Sequence, residues 1–593
     1  MARIFPKLTA NTLQATTYLL GVALFSIAFL VFLNSSISFV VTDVIGRKEG
    51  LGDAAGTLSF FDELLALIAC PLWGLLSDRI GVRYVAVAGY FIVAISLVSL
   101  VQSTNVYPEL LVGRLGFSVG AAACSTMVTA VLPSMMTERS GKDKKDEEHT
   151  VTNEEVARLR EEARPDSRGA HAPSPSVNSE LTITPTRYAS SSRSRGSPRN
   201  APDDADELAA EAGTSQLAGL VGMFTGAGAL LALGLFLPLP AHFQSGGYGP
   251  AQSVQISFYI VGAVAICVAI FVFFGLRNLP GEEHKSLSAL LRPPYDETTS
   301  VDQEGHTHIT LSPAPSYLTL AKEALLLGFT DSSIGLGYLG GFVARASSVA
   351  ISLFIPLFVN AYFKRTGLCT NNPDNLDDIK RNCERAYKVA AALTGVGELA
   401  ALLCAPIFGW LGGRAVRGKS EWPLLVAALV GIVGYVSFGL LKNPDAFHGD
   451  QGSYAFLSVI CIGLSQIGAI VCSLGLLSRA VNRDGKHPGG KGTVRQSEVG
   501  PIEGDETAAL LPGTNSAGAS GRIDRSRLKG SIAGMYSLAG GAGILLLSKL
   551  GGKLFDTWTV GAPFFLMAIF NGLLAAGILL VSGAATLSRN GAE

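Results

Sequence analysis

The chain has 593 residues, 48% of them hydrophobic and only 16% charged, with a net charge of -1. A soluble globular protein carries roughly 25% charged residues, so this composition excludes an ordinary water-facing surface. The balanced charge implies no basic surface and is otherwise uninformative about partners; no nucleic acid is expected.

The apolar residues are gathered in blocks long enough to cross a bilayer, which takes about 20 residues of helix. Twelve blocks predict membrane spans, at 17–40, 53–77, 84–104, 108–135, 216–239, 255–276, 338–361, 388–412, 422–441, 454–479, 530–549 and 562–583. The first follows Arg3 and Lys7, as in a signal peptide. It is longer than a signal core, however, and no small-residue cleavage site follows, so it reads as an uncleaved span. The positive-inside rule puts Arg79, Arg83, Arg414, Arg417 and Lys419 in the cytoplasm, and the 3–4 loop STNVYP, without a basic residue, outside. Both termini are then cytoplasmic. The 7–8 loop at 363–387, rich in both signs, is an exception to the rule.

Three segments between the blocks are long and polar. Residues 137–213 are charged and then Ser/Pro/Arg-rich, 277–333 form a central linker, and 481–528 are Gly-rich. All lack the apolar content for a core and are expected to be disordered, except 317–328, YLTLAKEALLLG, which could lie on the membrane surface. The chain thus divides into 1–136 (spans 1–4), 214–276 (spans 5 and 6), 334–480 (spans 7–10) and 529–593 (spans 11 and 12), separated by those segments.

The two halves repeat. Residues 63–79, ELLALIACPLWGLLSDR, match 398–414, ELAALLCAPIFGWLGGR. Residues 120–125, GAAACS, match 468–473, GAIVCS, and 218–231, AGLVGMFTGAGALL, match 533–546, AGMYSLAGGAGILL. Each match pairs span n with span n+6, so the fold class is an all-α integral membrane protein of twelve helices in two pseudo-symmetric halves of six. That architecture places a substrate site between the halves near the bilayer midplane.

GLLSDRIGVR resembles the loop 2–3 signature of the major facilitator superfamily. Gly74, Asp78, Arg79, Gly81 and Arg83 match it, while Val82 replaces one basic position. GRLGFSVGAAA resembles the family's span 4 motif, with Arg114 at the arginine position, Gly120 at the second glycine and Ser118 in place of the first. In span 5, Gly226 is followed by Ala227, so the glycine–proline step typical of the family's proton antiporters is absent. The resemblance implies a monomeric secondary transporter of a small molecule, without cofactor or enzymatic activity. It also implies a gating role for the loop 2–3 residues and proton transfer at Arg114. No ATP-binding motif, catalytic triad or zinc spacing is present, which leaves ion gradients as the driving force.

Asp78 can sit at the N-terminus of span 11, near Gly530 and Ser531, where the helix dipole favours negative charge by ~0.3–1 kcal/mol. Glu63 lies 15 residues before Asp78, about 22 Å up the helix. Glu398 is its counterpart by the repeat. A carboxylate in the membrane is costly unless protonated, paired or facing water, so both are candidates for proton coupling or substrate contact. Asp62, beside Glu63, points about 100° away round the helix. Arg114 lies within ~6 Å in depth of Glu63 and could pair with it. Arg345, about 7 residues into span 7, could bind an anionic substrate group or pair with Glu398 at a depth roughly 9 Å different. Asn34 and Gln466 lie in spans 1 and 10, which line the cavity in the family; interhelical hydrogen bonding accounts for them equally well.

Six of the eight cysteines lie in spans and read as packing residues. Cys369 and Cys383 flank the non-cytosolic 7–8 loop, where a disulfide is chemically allowed. His306 and His308 stand beside Glu304 and read as solvated rather than as metal ligands. Glu506, Leu510 and Leu511, in DETAALLP, resemble an acidic dileucine motif read by sorting adaptors, pointing to a vacuolar or lysosomal membrane as well as the plasma membrane. The functional reading is a proton-coupled transporter of a small organic solute. An uncoupled facilitator and a signalling transceptor with long cytoplasmic loops are the alternatives.

Overall fold

Backbone polar groups in hydrocarbon must be satisfied within the segment, so apolar blocks cross as helices. The structure, a computed structural model, describes residues 10–46, 51–136, 201–280, 282, 285, 295–301, 307–313, 316–366, 384–417, 421–445, 452–484 and 525–590. Among these, twelve helices are long and apolar enough to cross a membrane. Spans 1–6 are Thr12–Ile37, Thr57–Ile80, Val82–Leu100, Val106–Met136, Ala210–Ser245 and Pro250–Gly275. Spans 7–12 are Ser332–Phe363, Lys388–Val416, Trp422–Gly439, Tyr454–Asn482, Lys529–Thr557 and Ala562–Gly583. Every predicted block becomes one helix.

Leu64, Ile68 and Leu72 on span 2, and Leu399, Leu403 and Ile407 on span 8, are exposed. Spaced four residues apart, each set forms one stripe, the face a membrane helix turns to lipid. The opposite faces meet neighbouring spans through small residues that let backbones approach. The halves cross twice in the same way. A Cβ on Gly74 of span 2 would lie 2.9 Å from Gly534 Cα of span 11, and one on Gly409 of span 8 would lie 2.8 Å from Gly219 Cα of span 5. These are equivalent positions in the two repeats. Further signs of the duplication are Pro71 and Pro406 inside spans 2 and 8. Widened π-helical turns at Ala232–Phe236 and Leu547–Gly551 also stand at matching places in spans 5 and 11.

The central linker departs from the expected disorder. Strands β1 (Tyr295–Val301) and β2 (Thr307–Pro313) pair antiparallel, from Tyr295 opposite Pro313 to Val301 opposite Thr307. The low apolar content rules out a core, but threonine recurs in both strands, with Val301 in one and Ile309 in the other, and these residues favour pairing as a hairpin. The segment read as membrane-surface forms a helix, Tyr317–Thr330, capped by Ser316 Oγ accepting from Thr319 N at 3.3 Å.

Candidate functional site

Loop 2–3 joins the halves at one end of the bundle. The Asp78 carboxylate accepts from the backbone N–H of Gly530 and of Ser531, each at 2.6 Å, and from the Ser531 hydroxyl. These N–H groups belong to the first turn of span 11, which has no intrahelical acceptors for them. Gly74 and Gly530 make the approach possible: a Cβ on Gly530 would strike Ser77 Oγ and the Gly74 carbonyl, and would lie 2.9 Å from Asp78 Oδ1. Arg79 stacks over the Tyr317 ring at 4.3 Å. Arg83 lies over Tyr84 and Phe273, at 4.5 and 4.6 Å, and donates to the Tyr84 hydroxyl at 2.9 Å.

Gly81 begins span 3 with φ +95°, a conformation that disfavours side chains. Beside it the linker contributes two residues that sequence reasoning missed. Glu282 Oε2 accepts from Val82 N at 3.0 Å, capping span 3, and Glu282 Oε1 pairs with Lys285 Nζ at 2.7 Å. Burial works against the charge on Lys285, but Glu282 and Asp78 outweigh it and hold its pKa above the ordinary lysine value.

In the second half, Gly413 stands where Asp78 stood, and a Cβ there would lie 2.9 Å from the Ala212 carbonyl. The polar contact comes instead from Arg479 of span 10. It donates to Ser215 Oγ of span 5 at 3.1 Å and to both oxygens of Glu421 at 2.9 and 3.0 Å. Lys529 Nζ to Ser134 Oγ at 3.4 Å and Asn482 Nδ2 to the Pro133 carbonyl at 3.3 Å join the halves at the same end.

Near mid-depth, Arg114 is buried and pairs with Asp62, not Glu63. Its Nη2 and Nε donate to Asp62 Oδ2 at 2.7 and 3.2 Å, and Nη2 also donates to Asn34 Oδ1 at 2.5 Å. Nη1 is buried without a hydrogen-bond partner. The pairing follows from helix rotation. Ser118 of span 4 donates to the Asp62 carbonyl at 2.8 Å, and Trp73 Nε1 of span 2 donates to the Val119 carbonyl at 2.9 Å. Together they turn the Asp62 face of span 2 toward span 4.

Glu63 is half-buried and lies within electrostatic range of Asp62, Arg345 and Arg114. Arg345 makes no ion pair with Glu398 among the described residues; its Cγ lies against Gly540 of span 11, and the next residue, Gly541, lies against Leu67 of span 2, one turn from Glu63. The correction comes from helix length. Span 7 starts at Ser332, so Arg345 lies 13 residues in, not 7. In the second half, Glu398 lies within hydrogen-bonding reach of Gln466, which donates to Ser348 Oγ at 3.0 Å. Glu398 is exposed together with Ala391 and Gly395. Cys369, Cys383, His306, Glu506, Leu510 and Leu511 lie outside the described residues.

Residues 24–142 match the family model described as Major Facilitator Superfamily. No curated protein matches the sequence. A solved bacterial homologue of the iron transporter ferroportin, in an outward-facing state, is similar over 96% of this chain and 99% of its own, at 13% identity and a TM-score of 0.52. The human organic anion transporter MFSD10 (TETRAN) aligns over 95% and 99%, at 12% identity and a TM-score of 0.48. The proton:xylose symporter XylE aligns over 95% and 94%, at 13% and 0.48. Identities this low make the likeness one of fold. The loop 2–3 signature, the family model matched over residues 24–142 and twelve spans in two repeated halves make this chain similar to the major facilitator superfamily.

Proposed function

We propose that this membrane transporter moves a small organic solute by alternating access and couples the movement to protons. The observation that carries the reading is the contrast between the two levels of the bundle. At the loop 2–3 end, Asp78 and Arg479 fasten one half to the other. Deeper in, Arg345 of span 7 and Glu63 of span 2 stand near one level of span 11, Arg345 against Gly540 and Leu67, one turn from Glu63, against Gly541, and neither forms an ion pair among the described residues. A solute held at that level sits between halves closed on one side. Breaking the Asp78 contact and re-forming contacts on the other side exposes it to the second compartment. Under the positive-inside orientation the closed end is cytoplasmic. Glu506, Leu510 and Leu511 support delivery to a vacuolar or lysosomal membrane.

Protons enter through the carboxylates that are free to titrate. Asp62 is committed to Arg114, whereas Glu63 and Glu398 are at equivalent positions and have no cation in contact among the described residues. The test is uptake of a metabolite mixture into proteoliposomes holding the purified chain, driven by a pH gradient. E63Q and E398Q are expected to abolish gradient-driven uptake, singly or together, while solute exchange without a gradient persists. Unchanged gradient-driven uptake in the double variant would exclude proton coupling at these residues.

A further inference from the structure

The mid-depth charges are not equivalent. Arg114 is matched by Asp62 at 2.7 Å, and both are largely buried. Asp62 cannot take a proton without losing that pair. Arg345 has no such match. Its stem leans on span 11, where a Cβ on Gly540 would lie 2.6 Å from Arg345 Cγ. On the next residue of span 11, a Cβ on Gly541 would lie 2.9 Å from Leu67 Cδ2 of span 2, so the Arg345 stem and Glu63 stand one turn apart on the same seam between the halves. Both Arg345 and Glu63 are half-buried, and among the described residues neither makes a hydrogen bond or a contact ion pair. The charged or titratable groups facing Glu63 are Asp62 on its own span, Arg114 on span 4 and Arg345 on span 7, with Cys70 two turns along.

This leaves one cation and one carboxylate, from opposite halves, that balance each other at a distance. A proton on Glu63 breaks no contact but removes the balance, leaving Arg345 the uncompensated charge. A guanidinium offers paired N–H donors that match the oxygens of a carboxylate or phosphate. Resting on the transport reading above, we infer that Arg345 binds an oxyanion group of the solute and that Glu63 carries the proton that enters with it. The anion favours the protonated form of Glu63, because the ionised form repels it and holds Arg345. By linkage, the proton favours the anion equally. Each ligand therefore stabilises the state that holds the other, so proton and anion travel in the same direction.

The test uses the full chain in proteoliposomes offered a small-molecule cell extract, with the accumulated solutes identified by mass spectrometry at acidic and neutral outside pH. The expected result is accumulation of carboxylates or phosphates, which the masses distinguish, and more of it under acid. R345Q is expected to lower that accumulation by at least about tenfold, the loss of a charge-assisted contact. R345K, which keeps the charge, retains the anion preference at a lower level and shows that the fold survives. E63Q is expected to keep the anion preference and lose the response to pH. Accumulation of only neutral or cationic solutes, or R345Q equal to wild type, would overturn the inference while leaving transport standing. A wild-type chain that accumulates nothing would overturn both.

Discussion

Asp62→Ala is expected to destabilise the protein by about 3–5 kcal/mol, the cost of stranding one member of a buried ion pair. Arg114 is only 2% exposed, and Asp62 receives two of its N–H groups. Asn34 accepts one more bond but carries no charge. Nη1 already lacks a partner, so the site has no reserve acceptor to take over. Removing the carboxylate would leave an unpaired cation buried between spans 1, 2 and 4. The double variant D62A/R114L is expected to recover most of the loss, because two apolar residues of similar volume bury without an unpaired charge. Thermal unfolding of the purified protein in detergent, followed by tryptophan fluorescence, measures both. A loss below about 1 kcal/mol, the size of an exposed pair, would mean that Glu63 takes over as the partner of Arg114.

Gly530→Val is expected to prevent closure at the loop 2–3 end and to remove gradient-driven uptake. The added side chain would occupy the space of Ser77 Oγ, the Gly74 carbonyl and the Asp78 carboxylate. Packed interfaces do not yield continuously, so the crossing must open rather than stretch. The helix itself gains, since glycine is about 0.8–1 kcal/mol poorer than alanine in a helix interior, so the variant should fold. Spin labels at the ends of spans 2 and 11 should show a longer distance than in wild type. Gly552→Val in the same span is the control, because a Cβ at Gly552 meets nothing within 4 Å. Asp78→Asn should give a weaker form of the same shift, since the amide keeps the shape but loses the charge that the N-terminus of span 11 favours. Equal label distances and equal uptake in G530V and wild type would show that this crossing does not open during transport.

The spans and their duplication were legible because the signal is long: blocks of about 20 apolar residues and matches in the same order in both halves. The partner of Asp78 was legible for a different reason. A carboxylate ending span 2 and unpaired N–H groups beginning span 11 are complementary wherever the halves meet. The partner of Arg114 was not. Asp62 and Glu63 are adjacent, and which of them faces span 4 depends on a rotation set by Ser118 and Trp73. No periodicity records a rotation of that kind. Arg345 was misplaced because polar glycines and serines at the start of span 7 hid its first turn. The linker residues Glu282 and Lys285 were hidden by composition, since charged segments read as solvated even where two of their residues dock. The Arg479–Glu421 pair joins the end of one span to the start of another across 58 residues, a separation that sequence spacing alone does not connect.

The two crossings between the halves share glycines but not chemistry, and this bears on how the molecule moves. Spans 5 and 8 meet at Gly219 and Gly409, and beside that packing Ser215 of span 5 accepts one hydrogen bond from Arg479. Close backbone packing of this kind is non-directional and allows small sliding, the behaviour of a shear surface. Spans 2 and 11 meet through Asp78, whose three accepted hydrogen bonds have fixed directions and fail together. One seam can glide while the other must snap. The motion proposed above would therefore meet its greater resistance at the Asp78 seam.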